Sequence, residues 1–262
     1  KIIDEDKIIT FKRFKKIANK HLKKVSYFKE IQIRLSWYYQ QVLKLTFVIN
    51  NVNKTKHPIV IWDADTIILK KILFFEKNNS ISYGNTYEFH RAYYKTNQAL
   101  LNSLPKYFIS SLAQFITITP SEAKFLIKKL SRFKNKNKNT AEWLSDIIFK
   151  SIVRVHKNYN GSMFSEYELI GQSNYLFNRR KQKPLLFLRL NLDGRLSKCQ
   201  QTVSKILNYK HVTYEHMHQG KKNIGMLSRK QSNFGLMKIV TKNYLTFYIK
   251  SIFHFFNYFL KS

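Results

Sequence analysis

The chain has 262 residues, of which 44% are apolar, and it carries 47 Lys and Arg against 15 Asp and Glu, a formal net charge of +32. Its length and its 21 Phe and 16 Tyr suffice for a sizeable core, which excludes disorder throughout, and the single Cys199 excludes an internal disulfide. The excess of positive charge favours a phosphate-rich partner: nucleic acid, an anionic membrane surface or a nucleotide-bearing substrate.

The first residues indicate where the natural protein starts. The chain has no initiating Met, and Ile2 and Ile3 run directly into acids, as at the end of a strand. The opening residues also lack the long apolar core of a signal peptide. We therefore expect the natural protein to begin upstream of Lys1.

Residues 31–49 are predicted to form a helix with two different faces. Apolar side chains recur at helical spacing along one face, at Tyr38, Val42, Leu45 and Ile49. A polar and aromatic row runs beside that face, and it contains Arg34, Trp37, Gln40, Gln41 and Lys44. One face is therefore expected to pack on a core, with the polar row alongside it.

A short apolar strand is predicted at 58–62, and Asp63-Ala64-Asp65 follows it directly. Residues 66–75 are predicted to continue as a second strand or a turn. The alternation of helix and strand favours an α/β fold with mainly parallel strands.

The later helices and strand are predicted from the same helical and strand periodicities. Ser121 is the predicted cap of its helix, and a turn at 158–161 leads into 162–171. The predicted helices are 92–104, 121–132 and 143–155, the predicted late strand is 185–190, and 134–139 is a polar loop.

The C-terminal residues 244–260 are predicted to form an amphipathic helix. A narrow polar stripe, which includes Thr246, Lys250 and His254, follows an otherwise aromatic and aliphatic cylinder. Seventeen residues cover about 25 Å as a helix, less than a hydrocarbon core of about 30 Å. The pattern favours a helix lying at an anionic membrane surface, and packing on the protein's own core is the alternative.

Asp63 and Asp65 suggest chemistry at the end of the predicted strand. Alternation along an extended chain sends both carboxylates to the same side. Two hard oxygen donors suit Mg²⁺ or Mn²⁺, which would take further ligands from water and a diphosphate. A solvated turn or a helix cap is the alternative explanation of this tripeptide.

Three sequence blocks together resemble a family of bacterial glycosyltransferases that is associated with capsule or lipopolysaccharide synthesis and is catalogued as a domain of unknown function. The blocks are residues 37–45, 61–66 and 164–171, and the resemblance spans about residues 1–175. It implies a GT-A-like sheet flanked by helices, a nucleotide-sugar donor, and a Mn²⁺ or Mg²⁺ cofactor held through Asp65. The family's N-terminal strand is missing here, and Gln114–Thr119 stands where relatives have a His-containing stretch.

The resemblance also implies a division of the chain and a set of site residues. The GT-A-like catalytic domain would span 1–190, its C-terminal part 191–240, and the amphipathic helix 241–262. The donor site would contain Gln40, Gln41, Lys44, Trp62 and Asp63.

Two further roles are predicted: a proton acceptor, from the chemistry of the transfer, and a metal ligand, from what GT-A enzymes commonly show. If their segment is extended, Glu166 and Glu168 lie on one side, and either carboxylate can take a proton from the acceptor hydroxyl. GT-A enzymes often complete the metal shell with a late histidine, which favours His216 beside Asp63 and Asp65. Structural or surface roles remain the alternative for each of these residues.

The sequence therefore predicts a metal-dependent glycosyltransferase that acts on a polysaccharide or lipid-linked glycan acceptor. We expect it to work peripherally at the cytoplasmic face of the membrane. A basic nucleic-acid-binding protein and an inactive relative that serves as an assembly partner are the rival hypotheses. Against nucleic acid, the sequence lacks zinc-ligand spacing and an RNP-like aromatic signature, and its basic residues look dispersed.

Overall fold

Helices dominate the part of the chain that the computed structural model describes. The described residues are 3–64, 66–76, 79–81, 83–84, 90–103, 110–111, 114–134, 137–158, 161–178, 183–184, 189–192 and 211–214. The helices are α1 (Phe11–Leu22), α2 (Phe28–Gln32), α3 (Leu35–Asn51), α4 (Arg91–Leu101), α5 (Pro120–Ser131), α6 (Thr140–Val155) and α7 (Glu166–Asn178), with a 3₁₀ turn at Glu5–Lys7. The strands are β1 (Ile59–Trp62), β2 (Thr66–Ile68), β3 (Phe75–Glu76), β4 (Asn79–Ser80), β5 (Tyr83–Gly84), β6 (Phe115–Ile118), β7 (Lys183–Pro184), β8 (Arg189–Leu192) and β9 (His211–Tyr214).

The helix α6 is the centre of the main core. It packs against α1, α3 and α4. Its Phe149 is fully buried, with ring centroids 5.5 Å from Phe14 of α1 and 5.8 Å from Tyr38 of α3. The apolar stripe predicted on α3 therefore does face a core, since Tyr38, Val42 and Leu45 are all buried.

The helix α5 begins one residue earlier than predicted, and its cap is different. Thr119, not Ser121, is the N-cap: its hydroxyl accepts from the Glu122 backbone N–H, and the Glu122 carboxylate accepts from the Thr119 N–H at 2.8 Å. This is a complete capping box with Pro120 in the first turn. Asn178 of α7 donates to the same carboxylate at 2.7 Å, so the start of α5 is tied to the end of α7.

The strand that precedes Asp63 is not in the predicted parallel arrangement. β1 pairs with β6 in antiparallel register, with Ile59 opposite Ile118 and Trp62 opposite Phe115. β6 is buried along its whole length. The prediction of parallel strands failed because an apolar run indicates that a strand is buried but not which way it runs. The direction depends on the path of the residues that connect the two strands.

The other described strands form small sheets. β9 lies between β2, to which it is antiparallel, and β8, to which it is parallel. β3 and β4 pair in antiparallel register, and β5 pairs with β7 in parallel. The described architecture is thus a mixture of helices and short strands, which is compatible with an α/β class.

Several predictions on the C-terminal part lie outside the described residues. The amphipathic helix at 241–262 and His216 are among them, and only 191–192 and 211–214 of the segment 191–240 are described. The predicted late strand at 185–190 overlaps β8 at Arg189 and Leu190. In the described ranges, no helix combines the length and apolarity that a membrane crossing needs.

A buried histidine makes the core sensitive to acid. His156 is 5% exposed, and its Nε2 lies 2.9 Å from the Thr96 hydroxyl oxygen. Burial and the nearby charge of Lys95 lower the pKa of His156 below its ordinary value of 6.5. The folded state therefore binds fewer protons than the unfolded state, so this contribution to stability is present above pH 6.5 and is lost as the pH falls towards the folded pKa.

We expect the free energy of unfolding of the wild type to fall more steeply below pH 6.5 than that of His156→Gln, which cannot titrate. Urea unfolding across a pH series measures both slopes. Equal slopes in the two proteins would show that His156 is not the group responsible.

Candidate functional site

Asp63 is held at the end of β1 by the backbone of the neighbouring strand. Its N–H donates to the carbonyl oxygen of Gln114 at 3.0 Å, and its own carbonyl accepts from the Thr66 N–H at 3.2 Å. Gln114 has a φ of +61°, a left-handed conformation that a non-glycine residue adopts at a cost. That conformation directs the Gln114 carbonyl oxygen at the Asp63 N–H. Backbone strain at Gln114 therefore accompanies the positioning of the Asp63 carboxylate.

Trp62, predicted in the donor site, packs beside Asp63 at the end of β1. Its ring stacks on Phe115 with centroids 5.1 Å apart, and Phe74 meets it edge-on at 6.1 Å. The indole N–H donates to the Thr66 carbonyl at 3.4 Å. These contacts anchor the strand end from which Asp63 projects.

Lys44 of α3 joins Asp63 to a second carboxylate. Its ammonium donates to Asp63 Oδ1 and, at 2.8 Å, to Glu166 Oε1 of α7. The Tyr167 hydroxyl lies at 3.4 Å, and the ammonium is 4.8 Å from the centroid of the Tyr167 ring. Burial by itself would lower the pKa of Lys44, but the charges of Glu166 and Asp63 outweigh it and raise that pKa. Lys44 therefore stays charged.

Glu166 is the buried member of this cluster. Its side chain is 2% exposed, and its backbone N–H donates to the side-chain oxygen of Gln41 at 3.1 Å. Burial, and then the charge of Asp63, raise the pKa of Glu166, while Lys44 acts in the opposite direction. The charge state of Glu166 therefore depends on whether Lys44 is in place.

Glu168 does not share this site, which corrects the expectation that both carboxylates lie on one side. The segment is not extended at this point: α7 begins at Glu166, and residues two apart on a helix point in nearly opposite directions. Glu168 accepts from the Ser110 hydroxyl and from Gln172, 3.5 Å away. Burial raises the pKa of Tyr94, and the charge of Glu168 raises it further.

The remaining predicted residues are placed as follows. Gln41 is buried and lies in the cluster through its bond to Glu166, whereas Gln40 is exposed, one helical turn before Lys44. Asp65 and His216 lie outside the described residues. The structure therefore brings Gln41, Lys44, Asp63 and Glu166 together and leaves Glu168 in a separate buried polar cluster.

Sequence reasoning missed two contributors to the site. Tyr167 lies inside the block 164–171, where its position beside Glu166 was the available signal. Gln114 acts through its backbone conformation, for which the sequence holds no local signal, since a left-handed residue is most often Gly or Asn.

The described residues supply oxygen donors but not a complete metal shell. Nowhere in the described ranges do three His, Cys, Asp or Glu side chains converge as a metal site would require. One or two carboxylates nevertheless suffice for Mg²⁺ when phosphate and water supply the other ligands. Asp63, at a strand end and half-buried, is a donor of the right kind for that arrangement.

Comparison with known proteins adds no relative to this picture: the chain matches no protein-family model, no curated protein and no solved structure.

Proposed function

We propose that the chain is a metal-dependent glycosyltransferase that moves a sugar from a nucleotide-sugar donor to a polysaccharide or lipid-linked glycan. One observation carries the proposal. Lys44 contacts Asp63, 19 positions along the chain, and Glu166, 122 positions along. Each of the three comes from a different one of the blocks that resemble the glycosyltransferase family. A cation and two carboxylates from three segments thus meet at a strand end.

Lys44 is proposed to bind a donor phosphate. Of the groups around its ammonium, the Tyr167 hydroxyl is the most distant, at 3.4 Å, and it is neutral. A phosphate oxygen would replace that weakest contact and leave the two carboxylate bonds in place. As a point charge, Lys44 suits a phosphate better than it suits a planar, two-pronged ligand.

Glu166 is proposed as the proton acceptor. The acceptor oxygen bonds to the anomeric carbon, the bond from that carbon to the diphosphate oxygen breaks with its electron pair staying on the diphosphate, and the hydroxyl proton goes to Glu166. A buried carboxylate with a raised pKa is a stronger base than an exposed one, and Lys44 opposes the rise in the pKa of Glu166 that burial causes. Transfer should therefore be lost as the pH falls and Glu166 takes up a proton.

A divalent cation completes the proposal. Asp63, Asp65 and His216 would hold it, of which Asp63 alone is among the described residues. When bound, such an ion neutralises charge on the departing nucleoside diphosphate. The peripheral cytoplasmic location and the anionic membrane partner expected from the sequence remain part of this proposal.

The test is calorimetric titration of UDP, GDP, CDP and CMP into the protein, with Mn²⁺ and again with chelator. We expect one nucleotide to bind in a metal-dependent way and to bind more than about tenfold more weakly to Asp63→Asn and to Asp65→Asn. Tyr167→Phe is the matched control, because it keeps the ring beside Lys44 and removes only the hydroxyl; its affinity should change by less than about threefold.

If no nucleotide binds to the folded protein, the transferase proposal fails. The Lys44 cluster would then be a structural ion network, as expected of an inactive relative that serves as an assembly partner.

A further inference from the structure

Several of the basic residues lie close together on one helix. Lysines on the outer face of α1 and just after it are exposed, and they are Lys12, Lys15, Lys16, Lys20 and Lys23. With Lys138, they line a groove of about 620 Å³ between α1 and the start of α6. The opposite face of α1 is buried through Phe14, Ile17 and Leu22, so the orientation of the lysine face is set by the core.

The acids beside this groove are already engaged. Glu142 accepts from Arg13 at 2.7 Å, and Asp146 lies 2.8 Å from His21 and 3.1 Å from Lys138. The five α1 lysines form no ion pair with any residue in the described ranges. The face therefore carries a net positive charge that its neighbours do not neutralise.

The lysines form a straight row. Lys12, Lys16, Lys20 and Lys23 follow one another at intervals of one turn, over about 16 Å of helix. Like charges one turn apart repel and weaken a helix, so the row exists at a cost to the isolated chain. A flat, negatively charged surface would contact all four lysines together, and its attraction would offset their mutual repulsion.

The side chains favour a lipid surface over nucleic acid. The four residues of the row are all lysines, whereas arginine binds phosphates in a bidentate way and aromatic rings stack on bases. Arg13, which also lines the groove, is paired with Glu142. Clusters of about four or more lysines on a helix are typical of binding to anionic lipid.

We propose that the lysine row of α1 is a docking surface for an anionic membrane. This docking role goes beyond the transfer reaction, and the lysine row belongs to a different part of the sequence from the predicted amphipathic segment at 241–262. Tyr39 contacts Phe14 of α1 and lies about 140° around α3 from Lys44, so docking leaves the Lys44 cluster on another side of the protein.

The test is co-sedimentation of the full chain, without nucleotide, with phosphatidylcholine vesicles and with vesicles that also contain phosphatidylglycerol. The test variant replaces Lys12, Lys16, Lys20 and Lys23 by Gln. The control variant replaces four exposed lysines elsewhere, Lys124, Lys128, Lys134 and Lys150, and so removes the same charge. Circular dichroism confirms that both variants fold.

We expect the wild type to bind the phosphatidylglycerol vesicles and not the neutral ones. The α1 variant should bind about 100-fold more weakly, while the control should lose less than about tenfold. Equal losses in the two variants would show that binding follows total charge, and an absence of wild-type binding would also overturn the proposal.

Anisotropy with single-stranded and duplex oligonucleotides tests the rival partner. If the α1 variant loses nucleic-acid binding while its vesicle binding is unchanged, the lysine row serves nucleic acid and the membrane proposal is wrong. Nucleotide calorimetry on the α1 variant keeps the two proposals apart, since its donor binding should equal that of the wild type.

Discussion

Replacing Lys44 by Met is expected to lower the free energy of unfolding by about 3 kcal/mol at neutral pH. The substitution removes the cation between Asp63 and Glu166 while keeping an unbranched side chain of nearly the same length. Breaking a buried pair by removing one partner typically costs 3–5 kcal/mol, and we take the low end because Lys44 and Asp63 each remain 23% exposed. Urea unfolding of the two proteins measures the difference.

The pH dependence tests the cause of that loss. Because the folded pKa of Glu166 is raised above its ordinary 4.5, the folded state binds more protons than the unfolded state, and stability falls as the pH rises through that window. Without Lys44 the pKa of Glu166 should rise further, so this pH window should extend to higher pH. The free energy of unfolding of the Lys44→Met variant should therefore approach that of the wild type at acidic pH.

The double variant Lys44→Met with Glu166→Gln is the matched control. It removes the buried charge together with its partner, so it should regain about half of the lost stability or more. If the double variant is as unstable as the sum of the two single variants, the Lys44–Glu166 pair does not stabilise this site.

Replacing Phe149 by Ala is expected to cost about 4 kcal/mol, within the usual range for a buried aromatic truncated to Ala. Phe149 is fully buried where α6 meets Phe14 of α1 and Tyr38 of α3, so the change leaves a cavity and removes two ring contacts. The denaturant midpoint should fall while the slope of the transition stays the same.

Phe177→Ala is the control for that prediction. Phe177 is 42% exposed and has one described ring contact, with Phe125 at 5.3 Å. Its loss should cost about 1 kcal/mol or less. If the two substitutions cost the same, α1, α3 and α6 do not meet at Phe149.

Local pattern was enough to predict several elements and one part of the site. The helix predicted at 31–49 is interrupted at Ile33 and Arg34, between α2 and α3, whereas the strand before Asp63 is present as β1. Gly161, the last residue of the turn predicted at 158–161, has a φ of +72°, which suits a glycine, while 159–160 lie outside the described residues. The resemblance, rather than local pattern, implied that Gln41, Lys44 and Asp63 lie near one another, and in the structure they meet around Glu166, while a role in donor binding stays a prediction.

What the sequence alone determined is the set of buried faces and the short apolar run that leads to Asp63, because side-chain periodicity is a local property. The tertiary structure decided the antiparallel pairing of β1 with β6 and the contact of Glu166 with Lys44. It also decided that the lysines of α1 form one uncompensated face. These features depend on contacts between residues far apart in the chain, and periodicity shows which face is buried without showing what buries it.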